Sequence, residues 1–160
     1  IEPLGRTTRA LIESARSRGS AVSIDASSVG VIDEYGVAAF TADLRTLRPN
    51  VLFCNEDEAA LLSVAPGSAP AGVPLSVVKA GPKPVCLVTS ESVTWVPVPS
   101  VEDVADTTGA GDAFAAGFLV ATMGGAKPVT ATKAGSRLAA QLLRQPGAEV
   151  GGGQPVAEEK

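Results

Sequence analysis

The chain has 160 residues, 45% of them apolar and 4% aromatic, with a net charge of −4. That length and composition predict one domain whose core is filled by small aliphatic side chains, and the lack of any basic run argues against a nucleic-acid surface. There is no histidine, which removes the usual catalytic triads and most transition-metal sites and leaves Asp, Glu, Lys or Tyr as general bases.

Helix and strand signals alternate along the chain. Thr7 to Arg18 has helical spacing, with Leu11, Ile12 and Ala15 on one side and arginines on the other, and Gly19 ends it. Ala21 to Ile24 reads as a strand with Asp25 at its end. Tyr35 to Leu47 reads as a second helix, stopped ahead of Pro49. Val51 to Cys54 is a short buried strand, and Asp57 to Val64 a short helix closed by Pro66 and Gly67. Leu75 to Lys79 is the clearest buried strand. After a turn over Gly81 to Pro84, Val85 to Thr89 and Val93 to Val96 suit a hairpin around Ser90-Glu91-Ser92. A buried helix through Met123, a turn at Gly124-Gly125 and a long helix from Val129 to Arg144 follow, and the tail 151–160 reads as disordered. This alternation predicts a mainly parallel sheet covered on both faces, with ligands at the carboxyl ends of the strands, where Asp25, Asn55 and Gly81 fall.

Cys54 and Cys86 both lie in apolar segments and read as reduced core residues, not as a disulfide framework. The apolar run 113–123 is far shorter than the ~20 residues a membrane helix needs, and no signal peptide is visible, so a cytoplasmic location is expected. The first residue is Ile, within a helical pattern, which suggests a fragment or a processed piece.

The most informative stretch is 106–119, Asp-Thr-Thr-Gly-Ala-Gly-Asp-Ala-Phe-Ala-Ala-Gly-Phe-Leu. A glycine turn runs directly into an apolar helix. The first amides of a helix have no partners within it and lie at the positive end of its dipole, so such a turn is an anion site. Gly109 and Gly111 remove side chains that would block a phosphate. Asp112 beside that anion would repel it, and the chemistry that explains a carboxylate there is proton removal from a hydroxyl attacking the phosphate. The alternative is a glycine turn with an acid in the first helical turn, where acids are favoured anyway.

The whole run resembles the signature of the ribokinase-like (PfkB) carbohydrate kinases, matching each of its fixed positions. The resemblance extends over 8–150 and is to the C-terminal half of such enzymes. It implies a three-layer α/β/α fold, incomplete because the N-terminal half and its lid are missing, with 1–150 as the C-terminal part of a nucleotide-binding and catalytic domain. It also implies ATP-dependent phosphorylation of an alcohol: Asp112 is the base, and the amides of Gly109, Ala110 and Gly111 stabilise the transferring group. Asn55-Glu56-Asp57-Glu58 resembles the family's Asn-x-x-Glu motif, with Asn55 at the nucleotide phosphates and Glu58 helping to hold Mg²⁺ through water. The same residues also spell a helix capping box. Lys79-Ala80-Gly81-Pro82 resembles the nucleotide loop, where Lys79 and Gly81 would bind the cofactor, although Pro84 replaces the loop's last glycine and has no amide hydrogen. A plain turn between strands is the alternative.

The final helix resembles the wall of the adenine pocket, with Ser136 near a position where an Asn is common, although its spacing equally suits a packing helix. Gly147, with Asp106 and Thr108, matches a turn that binds a monovalent cation, K⁺ being the candidate. The implied partners are a small-molecule sugar acceptor, or a nucleoside as the alternative, and the missing N-terminal half, with no nucleic acid and no membrane. The exposed sheet edge and face predict self-association, for example a homodimer, if the piece exists alone. Three functions stay open: part of a complete sugar or nucleoside kinase, a truncated nucleotide binder without catalysis, and an interaction or structural module.

Overall fold

The computed structural model describes residues 2–65, 68, 70, 72–102 and 104–144. The chain divides into two compact units, Ile1–Val98 and Pro99–Lys160.

The first unit contains helices α1 (Glu2–Ser17), α2 (Val29–Tyr35), α3 (Val37–Leu47) and α4 (Glu56–Leu61), and strands β1 (Ser23–Asp25), β2 (Val51–Asn55), β3 (Ser76–Lys79), β4 (Val85–Val88) and β5 (Val93–Val96). The strands form one sheet in chain order, β1-β2-β3-β4-β5. It is mixed: β1, β2 and β3 are parallel, while β4 pairs antiparallel with both β3 and β5. The helical crossovers keep the first three strands parallel, and the short turns around Gly81 and Ser90-Glu91-Ser92 force reversals. Lys83 N–H closes the first of these turns on Ala80 O at 3.1 Å.

The register sorts side chains onto two faces. On one, Leu52, Cys54, Val78, Cys86 and Val88 pack with Ile32, Leu44, Ala59, Leu62 and Val64. On the other, Phe53, Val77 and Leu87 are also buried. Burial on both faces is why β2 and β4 read as unbroken apolar runs rather than alternating ones. Each fully buried large aliphatic such as Leu44 or Leu52 contributes about 1.5–3 kcal/mol.

The helix predicted over Tyr35–Leu47 forms as α3, and a separate short helix, α2, precedes it. Gly36 sits between them at φ 96°, and Ser28 caps α2 by accepting from Val31 N–H at 3.3 Å. Only glycine adopts that backbone angle without strain, so the break is fixed locally. Gly72 has a packing role as well: its φ is 90°, and a Cβ there would stand 3.0 Å from Arg45 Cα. α1 is tied to its neighbours at the surface. Arg9 pairs with Asp43 at 2.8 Å, Tyr35 donates to Asp43 at 2.7 Å, and Arg16 donates to Arg48 O.

Both cysteines are free and buried. Burial pushes the Cys54 thiol up to about 12, with the charge of Glu58 adding to the effect, and burial raises Cys86 as well. Neither thiol should react with iodoacetamide at pH 8 in the folded chain, while both should react in denaturant. Rapid native labelling of Cys54 would contradict its placement. Because the folded thiol holds its proton more tightly than the unfolded one, its contribution to stability is complete below the ordinary value of 9.0. That contribution is lost as pH rises from there toward about 12.

The second unit is a helical hairpin of α5 (Ala110–Met123) and α6 (Pro128–Leu142). Pro128 occupies the first turn of α6, where its missing N–H is harmless. The helices cross at two glycines. A Cβ on Gly117 would lie 3.0 Å from Gly135 Cα, and one on Gly135 would lie 2.5 Å from Phe114 O. Phe114 and Phe118 stack with centroids 6.3 Å apart.

Candidate functional site

In the second unit, Gly109 is the N-cap of α5 in the left-handed conformation, φ 76° and ψ 0°. A Cβ there would meet only Leu142 Cδ2, at an ordinary 3.5 Å, so glycine is required for the backbone angle rather than for space. Gly111 already has helical geometry within α5. The N–H groups of Gly109, Gly111 and Asp112 find no acceptor among the described residues. That of Ala110 donates to Thr107 O at 3.2 Å. The unpartnered donors are therefore two of the three amides expected from the sequence, plus the Asp112 amide, which the sequence reading did not include. Asp112 is solvent-exposed.

The approach to this corner is braced. Asp106 Oδ1 accepts from Thr108 N–H at 2.8 Å, which holds the Asp106 carboxyl below its usual range. Ala105 N–H donates to Leu143 O at 2.8 Å, tying the segment to the end of α6. Ser136, on α6, is 4% exposed and its hydroxyl finds no partner among the described residues. Gly147 lies outside the described residues.

In the first unit, polar side chains gather at the carboxyl ends of the parallel strands. Asn55 caps α4 in a reciprocal capping box. Its Oδ1 accepts from Glu58 N–H at 2.9 Å, Glu58 Oε2 accepts from Asn55 N–H at 2.9 Å, and Glu58 Oε1 accepts from Asn55 Nδ2 at 2.9 Å. Both readings of this motif thus rest on side chains already engaged with each other. Each Glu58 oxygen keeps a lone pair, but the residue is only 3% exposed. Lys79 ends β3 and pairs with Asp25 at 2.8 Å. Gly81 is exposed at the turn tip with φ 57°. Lys83 reaches back to Glu56 at 2.9 Å. Asp25, read from the sequence only as a strand-end residue, is thus joined to Lys79 across β2. Chain separation hid the pair, because its members stand 54 positions apart.

A cleft of about 240 Å³ opens on the other face of the same sheet, lined by α4 residues with Val78, Cys86, Val88 and Trp95. Of the polar residues above it includes only Glu56, and its lining is otherwise apolar. Among the described residues no group of three or more His, Cys, Asp or Glu could hold a metal. None of the described helices is long and apolar enough to cross a membrane.

The pfkB family carbohydrate kinase model matches residues 7–152. The chain belongs to this family. The pfkB chain also resembles solved structures of kinases. Against the adenosine kinase of Sinorhizobium meliloti it has 24% identity and a TM-score of 0.76, covering 86% of this chain and 43% of that one. A probable sugar kinase from Rhizobium etli CFN 42 gives 23% and 0.76, with the same coverage. An uncharacterized sugar kinase from Pyrococcus horikoshii gives 25% and 0.74, covering 91% and 48%. The chain spans less than half the length of these structures. No curated protein sequence matches it. Family and fold agree with the α/β ribokinase-like reading.

Proposed function

We propose that this chain carries the phosphoryl-transfer part of an ATP-dependent kinase acting on an alcohol group of a sugar. The observation that carries the reading is the corner at Gly109, where three unpartnered amides open a 14-residue helix whose first turn bears the exposed Asp112. Asp112 takes the proton of the acceptor hydroxyl as that oxygen bonds to the γ-phosphorus and the bond to the ADP oxygen breaks. The amides of Gly109, Gly111 and Asp112 stabilise the charge on the transferring group, and one preorganised donor of this kind contributes roughly 3–4 kcal/mol. Ala110 joins them only by giving up its 3.2 Å bond to Thr107.

In this reading Asn55, Lys79 and Gly81 serve the nucleotide phosphates. Mg²⁺, arriving with the nucleotide, supplies charge neutralisation at the phosphate oxygens. Glu58 suits it only through water, because its carboxylate is already bound to Asn55. Ser136 offers adenine a buried hydroxyl that has no partner among the described residues. Asp106 and Thr108 would take part in a K⁺ site with Gly147. The protein works in the cytoplasm, with the remaining half of a family-length kinase completing the acceptor pocket. The second reading is a nucleoside kinase, favoured by the likeness to an adenosine kinase.

ADP release, followed with a panel of sugars and nucleosides, tests both readings. Turnover with a sugar supports the first, and turnover with nucleosides alone supports the second. ATP binding without any turnover leaves a nucleotide-binding fragment. Absence of ATP binding rejects the nucleotide reading for this chain.

A further inference from the structure

Lys79 does not project from the end of its strand. The register sets Asp25 beside Phe53 and Asn55 beside Lys79, so these four residues share one sheet face. On that face Lys79 Nζ folds back to 5.9 Å from the centroid of the Phe53 ring and to 2.8 Å from Asp25 Oδ2. The two side chains are 19% and 28% exposed. Asp25 Oδ1 accepts from Ser27 N–H at 3.0 Å, and Ser27 has a φ of 62°. Strained backbone of this kind persists only where its surroundings hold it. The Asp25 carboxylate therefore joins the loop after β1 to the end of β3, across β2. An ammonium has three N–H donors. Asp25 takes one, and the others find no acceptor among the described residues. A largely buried cation thus keeps donors in hand at the carboxyl end of parallel strands, where ligands of such sheets bind.

We propose that Asp25 is a positioning residue: by holding one N–H of Lys79 it fixes the direction of the other two and presents them to the phosphates of ATP. This rests on the reading of Lys79 as a nucleotide contact. A free lysine has many rotamers, and ordering it before the ligand arrives removes that entropy loss from binding. The opposing effect is repulsion between the carboxylate and phosphate. Positioning prevails because both Asp25 oxygens are already hydrogen-bonded and its charge is paired with Lys79.

The test is calorimetric titration of ATP into the full chain and into the variants Asp25→Asn, Lys79→Met and the double variant, with a thermal melt of each. Asp25→Asn should weaken ATP binding by about three- to tenfold, the loss expected from freeing one long side chain. Lys79→Met should weaken it at least as much, and the double variant no further. A purely structural role would lower the melting temperature and leave ATP affinity unchanged, which overturns the proposal. Equal or tighter binding by Asp25→Asn beside weakened binding by Lys79→Met also overturns it, while the reading of Lys79 stands. Unchanged affinity in Lys79→Met rejects that reading and this proposal together, as does absence of ATP binding by the unaltered chain. If Asp25→Asn does not fold, Asp25→Glu decides, because it keeps the charge but moves the carboxylate by one methylene. A loss of about two- to threefold is then expected, and unchanged affinity overturns the proposal.

Discussion

Asp112→Asn should lower the rate of phosphoryl transfer by about 10²- to 10⁴-fold, the range that a positioned general base supplies, while leaving ATP affinity nearly unchanged. The substitution preserves shape and removes only the capacity to accept a proton. It leaves intact the amides of Gly109, Gly111 and Asp112, which are backbone groups set by the left-handed Gly109 and by the start of α5. Removing a negative charge beside an anion site should, if anything, tighten ATP binding slightly. Turnover and calorimetry on the same preparation separate the two effects. A variant with near-normal turnover rejects Asp112 as the base, and a variant that loses ATP affinity in step with turnover assigns Asp112 to binding.

Gly135→Ala should produce the largest stability loss in the helical hairpin. The added Cβ would stand 2.5 Å from Phe114 O and 3.2 Å from Phe114 Cδ2. The nearest atom is backbone of the facing helix, so no side-chain rotation relieves the clash and α5 must move away from α6. Overpacking of this sort costs about 1–3 kcal/mol or more. Alanine returns about 1 kcal/mol of helix propensity. A 2.5 Å contact with backbone lies at the upper end of that cost, so the net loss is about 2 kcal/mol, a fall of roughly 4–8 °C in melting temperature for a chain this long. Gly5→Ala is the control: it lies in α1 with nothing within 4 Å of the added Cβ, and should raise stability by about 0.5–1 kcal/mol. A Gly135→Ala melting temperature equal to or above that of the unaltered chain would contradict the close crossing.

Much of the fold was legible because its signals are local. β5 has the bounds expected from the sequence, and the hairpin around Ser90-Glu91-Ser92 forms as antiparallel β4 and β5. The capping box of Asn55 and Glu58 was visible from residue spacing alone. α2 was missed because Val29–Tyr35 is short, and its limits are set by the Ser28 cap and the backbone angle of Gly36 rather than by periodicity. The antiparallel pairing of β3 with β4 depends on chain direction after the Gly81 turn, which composition does not encode.

The site divides in the same way. The glycine corner was legible because a helix N-terminus, a left-handed glycine and an acid are contiguous in the chain. That the Ala110 amide is taken by Thr107, while the Asp112 amide is unpartnered, depends on the angles of one turn and has no sequence signal. The link between Asp25 and Lys79 needed the register of three strands, which emerges only when the sheet assembles. The expectations for Gly147 and for the tail 151–160 lie outside the described residues.

The central claim is that the corner at Gly109 grips the terminal phosphoryl group of ATP. The most direct measurement is a titration of the chain with Mg²⁺ and a non-hydrolysable ATP analogue, following backbone amide resonances by NMR. The account predicts saturable shifts concentrated at Gly109, Gly111 and Asp112, larger than those produced by adenosine at the same occupancy. Saturation of the chain by the analogue with these three amides unmoved would contradict it.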